Sequence, residues 1–505
     1  MSKLKTLNFL EEFSKKAKAK GKKIALCHGV FDLLHPGHVH HINQAKKMAD
    51  ILIVSLTSDK NVYKGPGRPY FNQIHRLNSI SSLEKVDYAV LSNEMSAVNI
   101  IKKIKPNFYV KGPDYKNFQD DFTKKINLES SEVKKHGGKI MFTTGITFSS
   151  SKILNEKVIY NSEQHKFIKN LKNKYGATYI LKSFEKIFSQ IPLVTGETII
   201  DEYVFCSAVG KSGKDPYLVL QEQKTEKYLG GVLSIAQSLS AICKKVKLLS
   251  MIGTSRGYEN KIKNQLQKNI KYDFIKKKNS TTIIKKRFIE KVNNIKLLGV
   301  YSFNDSNLSI KENKNLISKF KKNSKLADLV ILTDYGHGFF TKSLIREIYK
   351  SKKFLAVNAQ VNSSSIGYHT IMNYKKADLI LMNETELRQE FRDKKSHTFD
   401  LIKQLEKKIN SRYIAITQGK TGAIIYNTKT KKKYHVPAFA RNVVDKVGAG
   451  DALFSILSVS LNSKIQEDIA MYFASITAAL NAENYANKFI LNKNLFQKII
   501  EHSLK

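Results

Sequence analysis

Two short segments of this chain carry residue types whose spacing could do chemistry. The first is His28-Gly29-Val30-Phe31-Asp32-Leu33-Leu34-His35-Pro36-Gly37-His38, which closes the apolar run 24–30 and precedes a helical pattern. Gly29 lets backbone approach a phosphate closely, and Gly37 opens a helix whose N-terminal amides favour anions. His35 and His38 flank that turn and can donate hydrogen bonds to phosphate oxygens. Transfer of a nucleotidyl group needs charge stabilisation and in-line positioning more than covalent help. The second segment is Asn442-Val443-Val444-Asp445-Lys446-Val447-Gly448-Ala449-Gly450-Asp451, followed by an apolar helix. Gly448, Ala449 and Gly450 expose amides as an anion hole for a moving phosphoryl group, and Asp451 is placed to take a proton from a hydroxyl.

The elements that must position these segments read as α/β. Apolar runs at 24–30, 51–56, 86–91, 108–110 and 140–144 alternate with helical periodicity, which predicts a parallel sheet with helices on both faces. A Lys-rich helical stretch over 155–185 reads as a connector. A second α/β series starts at Ile191 and runs through 245–253, 328–336, 353–359, 378–383 and 413–419. Within it, 281–303 reads as two antiparallel strands about Val292-Asn293-Asn294, suited to a lid or a dimer clasp. The expected domains are 1–155, a helical linker 156–190, and 191–505.

Composition limits the classes. The chain has 505 residues, 86 basic against 43 acidic, and a formal charge of +43. A basic surplus can serve nucleic acid or anionic membranes. Here the lysines are scattered, and no nucleic-acid module accompanies them, so compositional bias is the expectation. Cys27, Cys206 and Cys243 are far apart, which argues against a disulfide framework or a metal site and for a reducing compartment. No apolar run approaches the length of a membrane span. The expected location is the cytoplasm.

The segment 29–59, with Lys64-Gly65, Arg68-Pro69, Arg76, 86–90, 105–115 and Thr147-Phe148-Ser149-Ser150-Ser151-Lys152, resembles the cytidylyltransferase-like nucleotidyltransferases. It is most similar to the adenylyltransferase half of the bifunctional heptose kinase/adenylyltransferases, over essentially all of 20–155. The resemblance implies a Rossmann-like domain in which His35 and His38 stabilise the transition state. It implies a nucleotide site that includes Gly29, Val30 and Phe31, with Lys64, Arg68 and Arg76 holding triphosphate or substrate phosphate. Asp32, Lys111 and Asp114 would line the site, and Ser149, Ser150 and Ser151 would contact phosphates.

The Gly-Ala-Gly-Asp run resembles the signature of the ribokinase-like (PfkB) sugar kinases. That resemblance implies an α/β domain with a small β lid, with Asp451 as base. Asn383 and Glu386 would help order Mg²⁺ and phosphate, with no direct protein ligation of metal required. Thr417, Gly419 and Gly422 would hold ATP. Asp201, Gly230, Gly231, Ser234, Lys285 and Arg287 would meet the sugar, Lys285 and Arg287 lying with Thr282 in a Thr-x-x-Lys-x-Arg pattern. Three departures stand out. Ser234 replaces the usual Asn after Gly-Gly, Asn358-Ala359-Gln360 replaces Asp-Pro-Lys, and Lys446 stands where Thr or Val is usual. The order of transferase before kinase is opposite to that of the bifunctional heptose enzyme.

Together these resemblances imply a bifunctional sugar-activating enzyme. It would use CTP or ATP as nucleotidyl donor to a sugar phosphate, and ATP with Mg²⁺ to phosphorylate a sugar or sugar phosphate, for surface-polysaccharide or lipopolysaccharide precursors. A homodimer is the expected assembly. The altered sugar-side motifs raise an alternative, in which 191–505 is a sugar-binding or dimerising module. Nucleic-acid or membrane association through the +43 charge is a third reading.

Overall fold

The computed structural model describes residues 2–62, 64–65, 67–94, 96–113, 125–144, 160–255, 257–292, 294–362, 365–488 and 492–504. The chain divides into two compact units, Met1–Ile168 with Asn494–Lys505, and Lys169–Lys493. This differs from the reading of 191–505 as one block, because residues 494–505 join the first unit.

In the first unit β1 (Ile24–Gly29), β2 (Ile51–Thr57), β3 (Tyr88–Ser92), β4 (Phe108–Lys111) and β5 (Lys139–Phe142) form a five-stranded sheet in the order β3-β2-β1-β4-β5, parallel throughout. Alternation along β1 explains why its apolar run is unbroken. Ile24 and Leu26 enter a core with Leu10 and Ile101 from the helices Leu7–Ala19 and Val98–Ile104. Ala25 and Cys27 enter the opposite core with Ile42 and Ile80 from the helices Pro36–Lys47 and Gln73–Ser81. Both faces are covered, so neither face of the strand is polar. The strand order reverses between β1 and β4, which opens a crevice at their carboxyl ends.

The second unit carries β6 (Pro192–Lys211), β7 (Leu218–Gly231), β8 (Val246–Ser255), β9 (Ile270–Thr281), β10 (Ile283–Glu290), β11 (Ile295–Ser302), β12 (Leu329–Asp334), β13 (Phe354–Ala359), β14 (Lys376–Asn383), β15 (Asn410–Thr417), β16 (Ala423–Asn427) and β17 (Lys433–Val436). They connect as one twelve-stranded sheet. The start of β6 lies between β8 and β12, whereas its continuation from Thr198 pairs with β7 and β10. β6 therefore passes from the main sheet into a small four-stranded segment ordered β11-β10-β6-β7. Gly196 sits at that departure, where a Cβ would lie 2.1 Å from the carbonyl oxygen of Thr333. The antiparallel pairing of β10 with β11 matches the sequence expectation. β7 was not anticipated. Its residues 218–228 are exposed or half-buried and mostly polar, and it pairs with β6.

The Lys-rich connector forms the helices Ser162–Tyr175 and Ala177–Glu185. Helices Ala449–Asn462 and Glu467–Ala482 are buried over most of their length, which accounts for their apolar character on every face. Among the described residues, no helix is long and apolar enough to cross a membrane. All three cysteines are free and buried.

Candidate active sites

At the carboxyl end of β1 the backbone turns through Phe31, whose φ of +48° is in the left-handed region. Its ring covers Gly29, where a Cβ would come within 3.1 Å of it, and meets the ring of His38 edge-on at 5.2 Å. His35 caps the following helix with extended backbone, and Pro36 starts that helix with no amide to satisfy. The rings of His35 and His38 stack, with centroids 3.8 Å apart. Burial lowers the pKa of His35, and Lys64 lowers it further. Burial, then His35, Lys64 and His41, push that of His38 down to about 3. The structure thus brings His35, His38 and Lys64 together at a helix N-terminus. A neutral stacked pair beside a lysine gains protons most readily when an anion arrives, since opposite charge raises a histidine pKa. That arrangement can bind a polyphosphate and stabilise charge that develops on it.

The other expected phosphate ligands are placed differently. Asp32 accepts hydrogen bonds from the backbone N–H groups of Tyr70 (2.7 Å) and Phe71 (3.1 Å), and pairs with Arg68 Nη1 at 2.9 Å. Both side chains of this ion pair are almost wholly buried. Arg76 is buried as well and donates to the carbonyl oxygens of Phe71, Val30 and Thr57 and to Asp59. Asp32, Arg68 and Arg76 therefore tie the segment 68–76 to the ends of β1 and β2; for Arg76 this replaces the expected phosphate contact. The physical reason is that a guanidinium has five directed donors and can be satisfied by carbonyls at strand ends.

Lys111 ends β4 beside the crevice, but its ammonium pairs with Glu129 at 3.1 Å. Glu129 also accepts the Tyr109 hydroxyl (2.9 Å) and the Ala97 N–H (3.0 Å). Burial alone would raise the Glu129 pKa. Lys111, the Ala97 N–H, His28 and Tyr109 instead bring it down to about 2. His41 was overlooked in the sequence. It contacts Thr143 Oγ1 at 3.0 Å, and Gln44 bonds the Thr144 backbone, so the His-rich helix is tied to the chain leaving β5. Asp114, Ser149, Ser150 and Ser151 lie outside the described residues.

In the second unit Gly448, with φ of +83°, caps the helix Ala449–Asn462. A Cβ there would lie 2.0 Å from Asn487 Oδ1, whereas one at Gly450 would meet nothing within 4 Å. Gly450 is exposed in the first turn, at the positive end of a 14-residue helix, while the Ala449 amide donates to the Lys446 carbonyl at 3.4 Å. Asp451 lies in its first turn. Its carboxylate accepts Gln360 Nε2 at 2.8 Å and the Tyr335 hydroxyl at 3.2 Å. Burial raises its pKa to about 7 despite those bonds, with Asp201 adding to the rise and Lys285 opposing it. A carboxylate poised near neutrality, at the edge of an anion-binding turn, suits proton removal from a hydroxyl. Gln360 was noted in the sequence only as a departure, and the structure makes it a direct partner of Asp451. Asp445, also buried, accepts the Tyr203 hydroxyl and Lys296 Nζ, both at 2.5 Å, and so anchors the segment leading to the glycines.

The sugar-side residues converge on β6, β7 and β10. Asp201 pairs with Arg287 at 2.5 Å, and Gly230 leaves room for that carboxylate, since a Cβ there would lie 2.1 Å from Asp201 Oδ2. Lys285 Nζ stands 5.5 Å from the centre of the Tyr335 ring, on the route from Asp201 to Asp451. Gly231 caps the helix Val232–Ser240, and Ser234 donates its hydroxyl proton to the Gly231 carbonyl at 2.9 Å.

Asn383 and Glu386 form a reciprocal cap on the helix Glu384–Phe391, and the second Glu386 oxygen accepts the Val361 N–H. Both Glu386 oxygens are thus engaged with backbone. Among the described residues no cluster of His, Cys, Asp or Glu could hold a metal. Thr417, Gly419 and Gly422 shape the tight turn between β15 and β16. Gly422 (φ +105°) sits where a Cβ would be 2.1 Å from the Val436 carbonyl oxygen.

These features define an enzyme with a Rossmann-type first unit, similar to cytidylyltransferase-like domains, and a second unit of the PfkB carbohydrate-kinase type. The model for pfkB family carbohydrate kinases matches residues 193–491, and the chain belongs to that family. The model named cytidylyltransferase-like matches residues 26–156. Among curated proteins, the bifunctional protein HldE of Geobacter metallireducens is 32% identical over 160 residues, 31% of this chain and 31% of that protein. The HldE of Aliarcobacter butzleri is 42% identical over 116 residues, 23% of this chain and 24% of its own length. The matched part thus spans less than a third of these relatives. Phosphofructokinase-2 from Escherichia coli, solved with potassium, shares the fold with a TM-score of 0.50 at 14% identity, covering 63% of this chain and all of that one.

Proposed function

We propose that the chain activates a sugar in two reactions, with residues 1–155 as transferase and the block from 191 as kinase. The kinase unit moves the γ-phosphoryl group of ATP to a sugar or sugar phosphate, Asp451 taking the hydroxyl proton while the Gly448–Gly450 amides hold the transferring group. The transferase unit joins a nucleotidyl group from CTP or ATP to a sugar phosphate and releases pyrophosphate, with His35, His38 and Lys64 stabilising charge at the phosphates. The product would serve surface-polysaccharide or lipopolysaccharide assembly. Magnesium, when bound with the nucleotide, neutralises phosphate charge; the steps above belong to the protein's own groups.

One observation carries this reading. In each unit the chemistry-bearing side chains sit in or just before the first turn of a helix at the carboxyl edge of a parallel sheet, His35 and His38 beside β1 and Asp451 beside β12 and β13. The test is pyrophosphate release with CTP and ATP against a panel of sugar phosphates, together with sugar-dependent ADP formation. Asp451→Asn should lose only ADP formation, and His35→Ala only pyrophosphate release. Loss of both activities in either variant would refute two independent sites.

A second reading has the kinase-like unit bind sugar without turnover, and the bond from Ser234 to Gly231 favours it, since the hydroxyl proton is already engaged. Asp451-dependent phosphorylation of any sugar excludes it. We also propose a homodimer through β11, whose Leu298 and Val300 are exposed, to be tested by light scattering.

A further inference from the structure

His337 was not among the residues singled out from the sequence. It lies in the turn that leaves β12, between Gly336 (φ +76°) and Gly338 (φ +84°). Glu197, wholly buried on β6, accepts the backbone N–H groups of both Tyr335 and His337 at 3.1 Å and so fixes the turn. The chain after β11 closes on it. A Cβ at Gly338 would lie 2.6 Å from the Ser306 carbonyl oxygen, and Lys277 donates to the carbonyls of Asn304 and Ser306.

Within this frame the His337 side chain is 2% exposed, and its Nδ1 lies 2.6 Å from Asp305 Oδ1. Its Nε2 is buried and has no hydrogen-bond partner. A carboxylate can only accept, so the Nδ1 proton belongs to the bond with Asp305. Burial and the nearby Lys285 lower the histidine pKa, although Asp305 opposes them, and the neutral ring is favoured. Nε2 then presents a lone pair. Leaving such a group unpaired costs about 1–3 kcal/mol, which an arriving donor recovers.

The position of His337 tells what that donor is. Lys285 Nζ stands 5.5 Å from the centre of the Tyr335 ring, and Tyr335, two residues before His337 and held by the same Glu197, donates to Asp451. His337 therefore belongs to the acceptor side of the kinase unit, with Asp201, Lys285 and Arg287. A phosphate dianion has no proton to offer Nε2. A sugar hydroxyl has one.

We infer that His337 Nε2 accepts a hydrogen bond from one hydroxyl of the kinase's sugar acceptor, and that the Asp305–His337 pair is a specificity determinant of that unit. The inference rests on the kinase reading and adds a hydroxyl-selective contact to it. A site built to bond a hydroxyl discriminates strongly against the analogue that lacks it, because a buried group is left unmet.

The experiment compares wild type, His337→Ala and Asp305→Asn on the best acceptor of a sugar panel and on its monodeoxy analogues, measuring kcat/KM for acceptor and KM for ATP. One deoxy analogue should lose about 10–100-fold on wild type. His337→Ala should lose a similar factor on the parent sugar and almost nothing further on that analogue, with the KM for ATP unchanged. Asp305→Asn permits the other tautomer, and since its parent side chain is 44% exposed it spares the fold. It should lose several-fold on the parent sugar only. Equal losses on every acceptor would assign His337 a structural role and overturn the inference, as would unchanged kinetics, which would mean that water meets Nε2. Asp451-dependent turnover in those same assays would leave the kinase reading standing. If wild type phosphorylates no sugar, both readings fall.

Discussion

Replacing Asp451 by asparagine should make the second unit more stable, and increasingly so as pH rises. The carboxylate is held at about 7 instead of 3.8, chiefly by burial, so between those values the folded chain binds a proton that the unfolded chain has released. Stability therefore falls with pH across that window and levels off above it. At about 1.4 kcal/mol per decade, the full cost above neutrality is about 4 kcal/mol. Asparagine never titrates, and its oxygen can still accept from Gln360 while its amide meets the Tyr335 hydroxyl, so the shape of the site is kept. Measured from near pH 5 to near pH 8, the stability gap between variant and wild type should widen by about 3 kcal/mol. For a unit of this size that is roughly 6 °C in the midpoint of its thermal transition. The assay is thermal unfolding of both proteins over that pH series, reading the difference so that other titrating groups cancel. Parallel profiles would refute the reasoning, since they would mean that Asp451 titrates as an ordinary carboxylate. The variant should also lose phosphorylation by about 10²–10⁴-fold, the usual range for a general base.

Other outcomes follow from the same geometry. Asp32→Ala leaves the buried Arg68 guanidinium without its carboxylate and should destabilise the first unit by about 3–5 kcal/mol in urea unfolding, leaving the second unit's transition in place. Gln360→Lys puts a cation beside Asp451 and should move the acid limb of the phosphorylation pH profile to lower pH; an unmoved limb would show that Asp451 is not the titrating base. Gly448→Ala forces a Cβ toward Asn487 at a positive φ and should cut phosphorylation while nucleotidyl transfer continues. His38→Ala should lower pyrophosphate release by about 10²–10³-fold with kinase activity intact.

The sequence disclosed some of these features and concealed others for identifiable reasons. β1 to β5 were legible because strands covered on both faces read as unbroken apolar runs, and the termini differ from expectation by a residue or two. The glycines before Asp451 and the two histidines were legible as helix starts, and the helices do begin there, with Gly448 and His35 as their caps. The fate of the cations was not. In so basic a chain Arg76, sealed under three carbonyls, and Lys64, beside the histidines, look alike in one dimension. β7 was hidden by its polarity, since most of its length is placed by pairing with β6 and only its end, at Tyr228 and Leu229, packs against apolar residues. Gln360 and His337 were invisible as site residues because their significance lies in contacts with Asp451 and Asp305, at separations of 91 and 32 residues.

The grouping of Asn494–Lys505 with Met1–Ile168 also has a consequence for synthesis. The helix Lys493–Ser503 supplies Ile499, whose side chain approaches the Gly65 turn in the first unit. On the ribosome, that helix emerges only after Lys169–Lys493 has been translated, a delay of roughly 15–65 s at ~5–20 residues per second. During that interval the nascent first unit lacks its closing segment, and the intervening kinase unit has time to fold before the first is complete. The two units are thus made in an order that their numbering conceals: the one begun first is the one finished last.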